Sequence, residues 1–322
     1  MLKQTLIIAI PVILLGYGVG GWQSLDGPPA GRADDLTIGW DDINNWWNLF
    51  AADKTHRLYR SFNFGTYWDS IDEPNTDHPT CVVTHKDEGR IVFIGRWDPD
   101  YIVMKSVDGG DNWEPKDEGI TNDRPNCFAM HPENPDIVFL GCGEDNDGSI
   151  DEIFKTTNGG TDWSVLTSGL QADNTINDLA ITTTPTKGIK LLAATDDGVY
   201  YSFDGGANWG LSNLTERSFA VAYGSEFIGY AGTNYGLYRS TDGGTVWQKI
   251  GDFTQVKTIG VVSADEVYIA ALGNQGRGIY QIRNNDISFL SNLSARRIVV
   301  GPEGRVFILS DRGVYAYRSN ER

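Results

Sequence analysis

The amino-acid sequence predicts an all-β fold: a single β-propeller of about seven four-stranded blades, with the last blade closed by an N-terminal strand. Three observations carry that prediction. An eight-residue unit recurs as Ser106–Trp113, Thr156–Trp163, Ser202–Trp209 and Ser240–Trp247, with a weaker first copy at Ser61–Trp68. The tryptophans that end it, Trp68, Trp113, Trp163, Trp209 and Trp247, lie 45, 50, 46 and 38 residues apart, a spacing that fits one four-stranded blade. Short β-branched and aromatic runs flank every copy, and helical periodicity is absent beyond the N-terminal segment.

The elements follow in chain order. Trp22–Gly27 reads like the strand after a unit, as in Trp163–Gly169, so it is expected to be an outer strand without a blade of its own. Blade one takes Asp35–Trp40, Trp47–Asp53 and Arg57–Ser61. Blades two and three align without a gap, Cys81–His85 on Cys127–His131 and Arg90–Gly95 on Asp136–Gly141. Blade four offers Ala180–Thr184 and Lys190–Ala194, and blade five Phe219–Tyr223, Phe227–Gly232 and Gly236–Ser240. Blade six offers Thr258–Ser263, Glu266–Ala271 and Gly278–Arg283, with Asn284-Asn285-Asp286 where its unit should stand. Ala295–Pro302, Arg305–Ser310 and Gly313–Arg318 make three strands in need of a fourth. The N-terminal strand supplies it, which closes the ring and leaves no sheet edge open.

The repeated unit has the chemistry of a hairpin turn. Asp108, Asn158, Asp204 and Asp242 can fold back onto backbone N–H groups, while Gly110, Gly160, Gly206 and Gly244 accept positive φ. Trp113, Trp163, Trp209 and Trp247 then bury a large surface on a neighbouring element. This S/T-x-D/N-x-G-x-x-W pattern resembles the Asp-box (BNR) repeat of β-propellers. Sialidases, xyloglucan-cleaving glycosidases, sortilin-type receptors and a photosystem II assembly factor carry that repeat. The resemblance implies the fold and leaves the function open, because enzymes and non-enzymes share the turn.

Composition narrows the partners. A chain of 322 residues with a formal net charge of −17 is poorly suited to nucleic-acid phosphate or anionic lipid as its main partner. It favours cations or a basic protein surface. Three cysteines, Cys81, Cys127 and Cys142, make no disulfide framework. Residues 1–21 carry Lys3, the apolar run Leu6–Leu15 interrupted by Pro11, and then Gly16, Gly18, Gly20 and Gly21. That order reads as a signal peptide, with residues 22–322 as an exported, extracellular or cell-envelope propeller. If uncleaved, the segment is instead an anchor packed on a neighbouring subunit, as in a virion or tail component.

Several clusters invite a chemical reading. Cys81/His85 and Cys127/His131 are zinc-like in type, but residues four apart on a strand stand about 13 Å apart, too far to share one ion. Gly143–Glu152 resembles part of a calcium loop, with Asp145, Asp147 and Asp151 as weak ligands and no acidic residue at the first or closing position. No other cofactor is expected. The repeated turns should lie on one face of the disc. The loops between strands two and three, and between blades, should gather on the other face around the central channel. That face is expected to carry Arg96, Trp97, Asp98, Asp100, Asp196, Tyr235, Arg277 and Asp311, a mixture suited to a peptide or a sugar.

Catalysis finds less support. The R-I-P motif of the sialidases that the repeat resembles is absent, and no nucleophile pair is fixed. Hydrolysis would need two carboxylates about 5–9 Å apart, drawn from residues such as Asp98, Asp100, Asp145 and Asp196. The expected function is a non-catalytic interaction or structural module that binds protein or glycan in a surface or multi-subunit assembly. A glycoside hydrolase is the alternative. An assembly factor like the photosystem protein would need a basic patch, against which the acidic balance weighs.

Overall fold

The computed structural model describes residues 21–25, 27–28, 33–53, 57–71, 77–98, 100–121, 124–143, 152–171, 174–186 and 188–317. The N-terminal segment 1–20 and the calcium candidates Asp145, Asp147 and Asp151 fall outside the described residues.

Seven antiparallel four-stranded sheets form the blades of a β-propeller. In each, strand one is innermost and strand four outermost. Blade one comprises Asp35–Asp41, Trp46–Ala52, Leu58–Ser61 and Asp69–Ile71. Blade two comprises Pro79–Thr84, Val92–Arg96, Val103–Ser106 and Glu114–Pro115, and blade three Pro125–Met130, Val138–Cys142, Ile153–Thr156 and Ser164–Val165. Blade four runs through Ile176–Thr183, Ile189–Thr195, Gly198–Ser202 and Gly210–Leu211, and blade five through Ser218–Tyr223, Gly229–Thr233, Leu237–Ser240 and Trp247–Ile250. Blade six holds Thr254–Ser263, Glu266–Gly273, Gly276–Arg283 and Asp286–Ser291.

The seventh blade takes three strands from the C-terminal part, Arg297–Val300, Val306–Ser310 and Gly313–Tyr317, and its outer strand from Trp22–Leu25. Trp22 pairs with Tyr317 and Leu25 with Val314, so the expected closure by the N-terminal strand is present. Trp22 is almost fully buried against Tyr268, Ile279 and Ile308 of blades six and seven.

Burial explains the strand sequences. Second strands such as Val92–Arg96, Val138–Cys142 and Val306–Ser310 are buried along their whole length, because a blade is covered on both faces by its neighbours. They therefore read as continuous apolar runs rather than alternating ones. Outer strands of blades two and three are two residues long and exposed, which blunts an edge. Seven apolar clusters each straddle one blade-to-blade seam; the one between blades seven and one joins Leu25, Leu309 and Val314 to Leu36, Leu49 and Trp68. Blade six lacks the repeated unit, and its last two strands meet in a tight hairpin at Asn284 and Asn285, with φ of 51° and 70°. Asparagine tolerates that left-handed pair better than most residues.

Candidate functional site

The repeated turns build one face of the disc. In blade two, Ser106 Oγ donates to Asp108 Oδ1 at 2.8 Å and accepts the Gly110 N–H at 2.8 Å. Asp108 Oδ1 then accepts the Asn112 N–H at 2.9 Å. The Thr156–Asn158, Ser202–Asp204, Ser240–Asp242 and Ser61–Asn63 copies repeat the arrangement, with hydroxyl-to-carbonyl or hydroxyl-to-carboxylate distances of 2.7–2.9 Å. Gly110, Gly160, Gly206 and Gly244 have φ between +89° and +114°. In the first copy Phe64 takes φ 57° where the others place their first glycine.

Each turn also docks on the blade before it. A Cβ on Gly160 would stand 3.0 Å from Phe93 of blade two, and one on Gly206 2.5 Å from Leu166 of blade three. A cation from the preceding blade fastens the turn. Arg60 Nη1 donates to the Gly109 carbonyl at 3.0 Å, Lys105 Nζ to Gly159 at 3.0 Å and Lys155 Nζ to Gly205 at 3.1 Å. Trp113, Trp163, Trp209 and Trp247 pack in the seams, so these residues serve the architecture.

The inner strands line the central channel, where an ionic clasp crosses the axis. Arg297 of blade seven places Nε 3.1 Å from Asp35 of blade one and Nη1 3.1 Å from Asp178 of blade four. Asp35 Oδ2 accepts the Val82 N–H of blade two at 2.9 Å, and Asp178 Oδ2 the Val221 N–H of blade five at 3.2 Å. Five blades are thereby tied together. Burial raises the Asp35 pKa against the lowering pull of Arg297. The same burial, with Asp35 and Asp178 nearby, pushes the Cys81 and Cys127 thiols far up.

On the opposite face the structure places every loop candidate, but in separate groups. Arg96 is 2% exposed; it donates to the Asp77 carbonyl at 2.9 Å, the Tyr101 carbonyl at 3.0 Å and Asp98 Oδ2 at 3.1 Å. It therefore acts from inside, holding up the loop that presents Trp97, Asp98 and Asp100. Trp97 is 54% exposed, and the Arg124 guanidinium lies 5.3 Å from its ring centroid. The two border a cavity of about 170 Å³ with Asp34, Thr80, Asn126 and Gly143.

Farther round, Asp196 accepts from Asn177 Nδ2 at 2.8 Å and pairs with Arg217 Nε at 2.9 Å. Tyr235 is 61% exposed, and Arg277 Nη2 donates to Gln255 Oε1 at 2.6 Å. Asp311 is bound to Arg296, which also reaches Asp34. Arg217, Phe219 and Lys257 join the face as well, although the sequence reading did not single them out. Aligning the inner strands by register would have exposed Phe219 as the one ring in a polar column. A larger cavity, about 640 Å³, lies away from this face on the outer rim between blades five and six, lined by Arg239, Asp242, Lys249 and Ile287 among others.

The histidines have local roles. His85 Nδ1 accepts the Glu88 N–H at 3.1 Å, and His131 Nδ1 accepts the Glu133 N–H at 3.1 Å. Burial lowers both imidazole pKa values, so each is held neutral in its turn. Among the described residues no group of three or more His, Cys, Asp or Glu side chains is placed to hold a metal ion.

No family model and no curated protein matches the chain. Solved structures do. YCF48 bound to D1 peptide superposes with a TM-score of 0.65 at 14% identity, over 95% of this chain and 99% of that one. An ancestral GH74 enzyme gives 0.70 at 16% identity, over 95% of this chain and 47% of that one. The extracellular domain of a hybrid two-component system from B. thetaiotaomicron gives 0.67 at 13% identity, over 94% and 40%. The chain thus spans less than half the length of the last two. At these identities the likeness shows the β-propeller fold alone.

Proposed function

We propose that this propeller is a non-catalytic docking module that holds an extended protein segment across its loop face. One observation carries the reading: aromatics paired with cations, the exposed Trp97 with Arg124 and the half-buried Phe219 with Arg217 and Lys257, ring the mouth of a channel crossed by the Arg297 clasp. Flat rings beside guanidinium and ammonium groups suit peptide backbone and acidic side chains. The net charge alone favours a basic partner; the cations on this face favour an acidic segment instead. YCF48, a propeller of similar extent, has been solved with a D1 peptide, which lends the protein-binding reading support by analogy.

Hydrolysis is disfavoured on chemistry. Asp98, Asp196 and Asp311 are engaged by arginines, and Asp35 and Asp178 share one guanidinium with their other oxygens on backbone N–H groups. With their oxygens so occupied, these acids offer no opposed pair poised to flank a glycosidic bond. We assign the repeated turns to the Asp-box type on their residue pattern, and the propeller to an exported or envelope location on the order of residues 1–21.

Arrays of peptides and glycans probed with wild type and Trp97→Ala test the reading, beside sugar-release assays on xyloglucan and sialosides. Peptide binding weakened about tenfold or more by the substitution is expected, the scale of losing one aromatic anchor. Sugar release, or binding to glycans alone, overturns it.

A further inference from the structure

A polar column on the inner strands breaks at one blade. Blades two, three and four each bulge a single residue there, Thr80, Asn126 and Asn177. Each side chain crosses to the next blade: Thr80 Oγ1 donates to the Pro125 carbonyl at 2.6 Å, Asn126 Nδ2 to Ile176 at 3.3 Å and Asn177 Nδ2 to Ser218 at 3.0 Å. The equivalent bulge in blade five is Phe219, which has no donor. Blade six answers with a longer irregularity between Thr254 and Thr258, in which Gln255 has φ 52°.

That irregularity carries Lys257 onto the ring, with Nζ 3.1 Å from the Phe219 centroid, and the Arg217 guanidinium lies 5.7 Å from the same ring. Arg277 joins through Gln255. Burial and the neighbouring Arg217 and Arg277 charges depress the Lys257 pKa, so the three cations feel one another. Arg217 is paired with Asp196, whereas no carboxylate among the described residues lies within ion-pairing distance of Lys257 or Arg277. Lys257 and Arg277 therefore bring positive charge, with no carboxylate partner among the described residues, to the channel mouth of a chain whose net charge is −17. Like charges gathered this closely are stabilised by an anion.

We infer that Arg217, Lys257 and Arg277, set around the Phe219 ring, form a carboxylate-binding subsite for an acidic peptide segment. The inference rests on the loop-face reading and names the chemistry that one part of that face recognises. The ring supplies an apolar flank for the peptide's methylene groups, and the cations take its carboxylate oxygens. Counting blades, this subsite and the Trp97–Arg124 cleft lie three blades apart one way and four the other, so they flank the channel mouth from opposite sides.

The test is fluorescence anisotropy with a fluorescein-labelled, Glu-rich decapeptide bearing a free C-terminus. Its amidated twin and a Gln-for-Glu twin are measured beside it. Lys257→Ala and Arg277→Ala should each weaken binding about three- to tenfold, Lys257→Glu should weaken it further, and Lys249→Glu on the outer rim should not. A loss on amidation assigns the site to a chain terminus; a loss on the Gln exchange assigns it to acidic side chains; either supports the proposal. Peptide binding lost in Trp97→Ala but unchanged in Lys257→Ala and Lys257→Glu overturns the subsite and leaves the loop-face reading standing. Binding indifferent to both sets of variants overturns both. Equal affinity for all three peptides, with displacement by inorganic phosphate, overturns carboxylate recognition. Lys257→Gln, with unchanged circular dichroism and melting, shows that any loss belongs to the charge rather than to the fold.

Discussion

Ser202 shows what a single residue does in this ring. Its hydroxyl, 1% exposed, donates to Asp204 and accepts the Gly206 N–H. Ser202→Ala leaves a buried donor without a partner, so a stability loss of about 1–3 kcal/mol is expected in denaturant unfolding. Gly206→Ala places a methyl 2.5 Å from Leu166 at φ +89°, and a similar or larger loss of about 1–3 kcal/mol is expected. The acids of the turns predict a pH effect. Hydrogen bonds from Asn208 and the backbone hold the Asp204 pKa below its ordinary value; at Asp108 and Asp242 such bonds outweigh the opposing effect of burial. A lowered folded pKa contributes stability above the unfolded value, about 3.9, that is lost as pH falls through the folded one. Melting temperature should therefore fall below about pH 4, and Asp108→Asn, Asp204→Asn and Asp242→Asn together should flatten that fall. These turns were legible in the sequence because the Ser/Thr and Asp/Asn side chains bond within four residues, while the cations that fasten them come from the preceding blade. Arg96 was not, because its burial depends on the carbonyls of Asp77 and Tyr101.

At the scale of elements, the N-terminal strand is the informative piece. Its likeness to Trp163–Gly169 placed it as an outer strand, and it pairs with Gly313–Tyr317 as expected. The likeness worked because every outer strand but that of blade six starts at or just after a tryptophan packed in a seam. Trp22→Ala removes the ring that fills the seam of blades six and seven, so a loss of about 3–5 kcal/mol is expected by chemical unfolding. Blade six was read less fully. Its first strand begins at Thr254 rather than Thr258, since the irregular stretch Gln255–Lys257 has no alternating pattern to reveal it. Its last two strands meet in an Asn-Asn hairpin, which forms without the repeated turn and leaves no tryptophan to count.

For the whole molecule, closure has two parts: the paired N-terminal strand at the rim and the Arg297 clasp at the axis. Nothing in the chain spacing relates Arg297 to Asp35 or Asp178, because the ring alone brings blades seven, one and four together. Arg297→Met leaves two carboxylates buried without their cation, and a loss of about 3–5 kcal/mol is expected. Adding Asp35→Asn and Asp178→Asn should recover much of it, since the unpaired charges are then gone. The same ring geometry hid the basic patch, whose members come from the approach to blade five and the first and third strands of blade six. The acidic composition gave no sign of a cation cluster on the loop face, whereas the fold gathers Arg217, Lys257 and Arg277 there.

The most direct measurement is hydrogen–deuterium exchange with and without an array-selected acidic peptide. The account predicts new protection confined to the loop face, at residues 97–101, 124–126, 217–219 and 255–257. Protection instead at the repeated turns, 108–113 and 158–163, or along the rim cavity beside Lys249 and Ile287, would contradict it.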